Sequence, residues 1–344
     1  MTLPMEIKWE EELDEFLTQP PPALVQFVKR LSTPLVVLGA AGKMGPSLAV
    51  LAKRAAIQAR HDLEVIAVSR FSNPDAKSWL ESRGVRTHRA DLARREDVDK
   101  LPDSANVIYL VGLKFGTSQN PSTTWAMNTI PPALVSERYR ASKIVGLSSG
   151  NVYPISDVKL GGSREEDPLT PVGEYPNTVV ARERLFEYFS RENGTQVALI
   201  RLFYAVELRY GVLVDIATKV VAGEPISLAN SYFNCIWQGD ANEMIIRSLS
   251  LVGSPANPLN LCQPEIYSVR EVAAEIGEHL GIAPMFSDAE NSTALVGNAT
   301  KMCEALGRPA TRFAQVLKWT ADWVAKGGRN LGRPTHFEVR VGVY

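Results

Sequence analysis

Leu35-Val36-Val37-Leu38 runs straight into Gly39-Ala40-Ala41-Gly42-Lys43-Met44-Gly45 and then into an apolar helical stretch, and this passage decides the fold. Four apolar residues predict a buried strand. The glycines permit a tight strand-to-helix turn and let the backbone come close to a pyrophosphate, whose charge then rests on the free N–H groups at the helix start. A glycine motif gains meaning from its surroundings. Here a strand precedes it, a helix follows it, and a second strand is predicted over residues 65–68.

From Leu35 onward the pattern alternates. Helix is predicted over residues 76–82, strand over 85–88 and 107–111, helix over 128–139, strand over 143–147, helix over 174–191 and strand over 197–202. Such alternation predicts a Rossmann-type, doubly wound parallel α/β sheet. Residues 1–34 read as a helical arm, with Trp9, Leu13, Phe16 and Leu17 at helical spacing, then Pro20-Pro21-Pro22, then a second apolar helix. Residues 35–204 read as the dinucleotide-binding domain. After Tyr204 the chain turns to short helices and Gly-, Pro-, Asn- and Ser-rich loops, so residues 205–344 are expected to form a smaller substrate lobe, free to return strands to the sheet. In it Ser268-Val269-Arg270-Glu271 is a capping box, Trp319 and Trp323 lie one turn apart on a helix that stops at Gly327-Gly328, and residues 336–344 alternate like a strand.

With 344 residues and 45% hydrophobic content the chain can bury a core without staples. Its 37 Lys and Arg against 38 Asp and Glu give no reason to expect a nucleic-acid or membrane partner. A small-molecule substrate is expected instead. Three scattered cysteines and four histidines fall at no metal-ligand spacing, so no metal is expected, and the cysteines suit a reducing compartment. No apolar run reaches spanning length and the first eight residues lack signal-peptide character, which makes cytoplasm the expectation.

The residue ending the second strand faces the adenosine ribose in such sheets, where a carboxylate selects NAD. This chain offers Ser69 and Arg70. A guanidinium pairs with a 2′-phosphate and no carboxylate repels it, so NADP is expected, with NAD allowed, and Lys43 is expected to add charge near the same phosphates.

These residues together resemble an extended short-chain dehydrogenase/reductase, the family of nucleotide-sugar epimerases and dehydratases, over roughly residues 35–326. Gly39, Gly42 and Gly45, with Lys43 and Met44 between them, match its glycine signature. Asp91-Leu92 resembles the pair placed against adenine, and Val111-Gly112-Leu113-Lys114 the loop whose lysine reaches the cofactor, with Asn128 in support. Ser148-Ser149-Gly150-Asn151-Val152-Tyr153 resembles the segment closing the fifth strand, which places Ser149 at the catalytic serine position and Asn151 beside the substrate. The resemblance implies cofactor contacts at Leu147, Tyr175 and Phe203, a catalytic acid or base at Tyr175, and homodimers paired through helices flanking the sheet.

The pattern breaks within Glu174-Tyr175-Pro176-Asn177-Thr178-Val179-Val180-Ala181-Arg182-Glu183. In the family a lysine one turn after the tyrosine holds the ribose and lowers the phenol pKa. Here that residue is Val179. An untuned phenol with a pKa near 10 is ionised to about one part in a thousand at pH 7, a deficit of roughly 4 kcal/mol in available base. Three explanations stand open: Lys114 supplies the cation, Ser149 and a water share the proton transfer, or catalysis is lost and dinucleotide binding remains.

A second break concerns substrate. Arg201-Leu202-Phe203-Tyr204 carries Tyr204 where the family has a phosphate-binding asparagine, and residues 233–240 offer no arginine to a diphosphate. Tyr204 and Trp237 are expected to stack on a sugar-like or cyclic substrate, and Arg209 is a further candidate for an anion. The expected activity is NADP-dependent oxidation, reduction or epimerisation at a hydroxyl or ketone of a carbohydrate-like molecule other than a standard nucleotide-sugar. A dinucleotide sensor without turnover is the alternative.

Overall fold

A computed structural model describes residues 4–114 and 119–340. Its centre is a seven-stranded parallel sheet: β1 (Leu35–Leu38), β2 (Val65–Ser69), β3 (Arg86–Arg89), β4 (Asn106–Tyr109), β5 (Lys143–Ser149), β6 (Gln196–Leu202) and β7 (Asn257–Leu261). The order across the sheet is β7-β6-β5-β4-β1-β2-β3. The strand order therefore reverses between β1 and β4, where a crevice opens beyond the strand ends.

All four β1 residues are fully buried. Side chains alternate across a strand, so Leu35 and Val37 enter a core with Leu48 and Ala52 on one face, while Val36 and Leu38 meet Tyr109, Val135 and Phe186 on the other. A strand covered on both sides has no use for polar residues. This explains the continuous apolar run that announced the fold.

Helix α1 (Glu10–Leu17) and α2 (Pro22–Val28) form the arm. Leu24 and Val28 of α2 pack under the sheet, whereas Leu13, Phe16 and Leu17 of α1 enter the core of the C-terminal half. Trp9, expected on the apolar face, is instead the exposed N-cap of α1. Helix α3 (Gly45–Ala59) follows the glycine turn, α4 (Pro121–Arg138) follows β4, and α5 (Glu174–Asn193) connects β5 to β6.

The lobe is built on α6 (Val212–Ala222), α7 (Gln238–Arg247), α8 (Val269–Leu280) and α9 (Phe313–Ala325). Ser268 caps α8 by accepting from the Glu271 N–H, and Trp319 and Trp323 of α9 are both buried. One segment of this half, β7, pairs in parallel with β6 at the sheet edge.

The tail expected as a strand is no strand among the described residues, and positions 341–344 lie outside them. His336 adopts φ 54°, which breaks an extended run. The tail instead straps across the lobe, with Asn230 donating to the Phe337 carbonyl and Arg340 to the Ala229 carbonyl.

Candidate active site

The glycine turn closes by hydrogen bonds from Gly39 N–H to the Val68 carbonyl and from Gly42 N–H to the Gly39 carbonyl. Gly39 holds φ 81°, and a Cβ there would come within 2.9 Å of Val111. Only glycine suits that position. The turn borders a cleft of about 730 Å³ running from the start of α3 over the ends of β4, β5 and β6 to the lobe. Gly39, Gly42, Lys43, Met44 and Gly45 line it on one side, Gly112, Lys114 and Leu147 beneath, and Ser149, Asn151, Tyr175, Phe203 and Tyr204 toward the lobe.

Ser149 and Tyr175 meet there. Ser149 ends β5, donates to the Asn151 side-chain oxygen at 2.9 Å and accepts from the Asn151 N–H at 3.2 Å. Tyr175 stands in the first turn of α5, 8% exposed, and lines the cleft together with Ser149. Burial pushes the phenol pKa above its usual value, while the Arg182 charge and the Ser149 hydrogen bond pull it down. Val179, one turn on, is fully buried in an apolar cluster with Val152, Tyr153 and Phe203.

Asn128 braces the site from α4. Its oxygen accepts from the Leu113 N–H at 3.0 Å, and its amide donates to the Leu113 carbonyl at 3.1 Å and to Thr178 at 2.8 Å. This pins the loop after β4 to the helix that carries Tyr175.

Two further residues of the resemblance serve as framework. Glu183 and Arg201 form a buried ion pair at 2.8 Å, to which Ser148 adds a hydrogen bond. Arg201 also donates to the Tyr153 hydroxyl at 2.6 Å, which in turn donates to Asn260 at 2.9 Å. Four elements are thereby locked behind the cleft floor.

Several expectations need correction. Trp237 does not face the cleft: it is 2% exposed and wedged between Phe16 and Trp319 with ring centres 5.7 and 5.6 Å away. An indole in that position packs the lobe core and stacks on no ligand. Arg209 meets no anion from outside, because Glu10, Asp14 and Glu207 surround it at 3.1 Å each. Lys43 points away from the Ser69–Arg70 end. It donates to the Ala205 carbonyl at 2.7 Å and lies 4.1 Å from the centre of the Tyr210 ring. Burial brings its pKa down to about 7, with Glu207 opposing and Lys114 reinforcing.

Lys114 lines the cleft, and burial lowers its pKa to about 8 against the pull of Asp215. The cation that bears on the Tyr175 phenol is Arg182. Ser69, Arg70, Asp91 and Leu92 lie outside the cleft lining, as do Val111 and Asn128 behind it. Arg70 is exposed just past β2, the Asp91 carboxylate accepts from the Ala93 N–H, and the Leu92 side chain packs in the core beside Ala90 and Val98.

Arg182, Tyr210 and Arg333 are among the polar cleft residues to which the sequence assigned no role. Arg182 had a latent signal, since it falls two turns after Tyr175 on one helix face. Tyr210 and Arg333 come from a turn and from the tail, where spacing carries no information about direction.

A parallel sheet with a glycine cradle at its switch point and a serine–tyrosine pair facing it defines a dinucleotide-binding enzyme of the oxidoreductase type. Among the described residues no cluster fit to hold a metal and no helix long and apolar enough to cross a membrane is found. The chain belongs to the NAD dependent epimerase/dehydratase family, whose profile matches residues 35–230.

Solved structures with the same fold include a UDP-galactose 4-epimerase, 22% identical with a TM-score of 0.67, covering 86% of this chain and 99% of its own. A UDP-glucose 4-epimerase from Thermotoga maritima is 18% identical with a TM-score of 0.70 over the same shares. A UDP-glucuronic acid 4-epimerase from Bacillus cereus in complex with NAD is 16% identical with a TM-score of 0.70, covering 86% of this chain and 97% of its own. A search of curated proteins gives no match.

Proposed function

We propose that the chain is an NADP-dependent oxidoreductase or epimerase acting at a hydroxyl or ketone of a carbohydrate-like molecule other than a standard nucleotide-sugar. One observation carries the reading: Ser149 and Tyr175 stand together on the wall of an open cleft that the glycine turn borders. The turn fits a dinucleotide, because the Cβ-free surface of Gly39 and the start of α3 present backbone to the space a pyrophosphate needs. The bound dinucleotide supplies a hydride donor or acceptor.

The protein's own groups supply the proton. With its pKa raised by burial, the Tyr175 phenol holds its proton at neutral pH and donates it to a carbonyl oxygen that Ser149 orients. In the reverse sense the phenolate removes the hydroxyl proton. Support for NADP comes from the missing carboxylate after β2 and from the exposed Arg70. The B. cereus neighbour is described with NAD, so both dinucleotides belong in the assay.

The neighbours are UDP-sugar epimerases, but the diphosphate anchors of that resemblance are absent here. Tyr204 holds the asparagine's place, and residues 233–238 are largely buried, with Asn234 tied to the Gly297 carbonyl and amide. The test is a panel of sugars, sugar acids, cyclic ketones and UDP-hexoses with NADPH and NADH, followed by loss of reduced-cofactor absorbance and by NMR for epimers. Turnover of simple sugars or ketones, lost at least 100-fold in Tyr175→Phe, is expected. Turnover confined to UDP-hexoses would overturn the substrate assignment. Tight NADPH binding without turnover of any of them would leave a dinucleotide sensor, the reading that Val179 favours.

A further inference from the structure

Among the described residues two arginines are buried at the heart of this fold, and one of them has a counter-ion there. Arg201 is neutralised by Glu183 at 2.8 Å. Arg182, 4% exposed, has only neutral partners among the described residues: Nη1 donates to the Leu147 carbonyl at 2.9 Å and Nη2 to the Asn128 side-chain oxygen. Among the described residues its buried Nε has no hydrogen-bond partner. A guanidinium taken out of water costs several kcal/mol unless it is paired, and an unfilled N–H adds to that cost. Such a group calls for a further acceptor, which the described residues do not supply.

The space around it shows where that acceptor comes from. Arg182 lines the same cleft as Tyr175 and Ser149. It is seven residues after Tyr175 and three after Val179 on α5, so all three project to one helix face. The loop beneath β4 has been cleared for it: a Cβ on Gly112 would come within 2.6 Å of Nη2. Asn128, which pins that loop and α5 together, also orients the guanidinium.

We propose that Arg182 takes over, from one turn further along α5, the cationic role that Val179 cannot fill, holding an oxygen of the bound dinucleotide and stabilising the Tyr175 phenolate. This rests on the dinucleotide reading given above. It makes Arg182 a positioning residue toward Tyr175. The other cleft cations are Lys43, Lys114 and Arg333, and Arg333 bears on the Tyr210 phenol. Lys43 is committed to the Ala205 carbonyl and the Tyr210 ring, and Lys114 feels the Asp215 carboxylate.

The groups that face the phenol are Arg182 from its own helix, Ser149 from β5 and Tyr210 from the turn before α6, with Lys43, Lys114 and the tail's Arg333 elsewhere in the cleft. Of these, Arg182 is the cation that pulls the phenol toward ionisation.

The experiment compares the full-length protein with Arg182→Gln, Arg182→Lys and the double variant Val179→Lys with Arg182→Gln. Two readouts need no turnover: NADPH affinity by calorimetry, and Tyr175 ionisation by NMR of ring-labelled tyrosine, assigned with Tyr175→Phe. Arg182→Gln is expected to weaken NADPH at least tenfold and to move the phenol titration to higher pH. Arg182→Lys should retain most of both properties, and the double variant should regain them by restoring the cation one turn earlier. If Arg182→Gln is poorly folded by circular dichroism, the double variant and Arg182→Lys carry the test. Unchanged affinity and titration in a folded Arg182→Gln, or a folded double variant with neither restored, overturns the proposal. A wild-type protein that binds neither NADPH nor NADH overturns the dinucleotide reading itself, which is a separate outcome.

Discussion

Tyr175 shows how one side chain's surroundings decide the direction of chemistry. Burial raises its pKa and outweighs the help from Arg182 and Ser149, so the phenol is the protonated species at neutral pH. A protonated phenol is an acid. Reduction of a carbonyl is therefore expected to run at full rate through neutral pH and to fall only as pH rises through the raised phenol pKa, while oxidation should climb over that same alkaline range. Profiles of kcat against pH in both directions check this. An oxidation rate already level at pH 7 would contradict it. Ser149 and Tyr175 were legible because the segments that carry them resemble those of the short-chain dehydrogenase/reductases. Arg182 was not, since its position gives its helix face but nothing in the sequence reveals that it is buried among neutral partners.

At the scale of elements, the strands of the sheet were readable from runs such as Val65–Ser69 because both faces are buried. Helix α4 was harder. It begins at Pro121, well before the expected residue 128, because Asn120 caps it by accepting from the Thr123 N–H and Pro121 opens its first turn. Pro131 and Pro132 inside it obscured the apolar period. The end of β2 carries its own prediction. Arg70 stands exposed where the adenosine ribose is expected, so Arg70→Ala should weaken NADP about tenfold and NAD far less, as calorimetry with each dinucleotide will read. Equal loss for both would remove Arg70 from the 2′-phosphate.

Over the whole molecule, the arm is a brace. Helix α1 packs Phe16 against both Trp237 and Trp319, Arg209 gathers Glu10 and Asp14, and α2 seals the underside of the sheet. Its place in residues 233–240, where the resemblance puts substrate contacts, had made Trp237 a candidate stacking residue, since an aromatic in a lobe reads alike whether it faces ligand or core. Trp237→Ala is expected to cost about 3–5 kcal/mol in denaturant unfolding, the toll of a large cavity in a packed core. Unaltered stability with lost substrate affinity would return it to the cleft.

The edge strand β7 also bears on how this chain tolerates being divided. Ending the polypeptide near Tyr204, where its character changes, would strip β6 of the neighbour that pairs with it from Ala198 to Leu202. The severed half would then show a bare row of amides and carbonyls along an apolar ribbon, an invitation to stack on its own kind. Recombining this cradle with a foreign lobe therefore requires carrying residues 257–261 along as part of the graft.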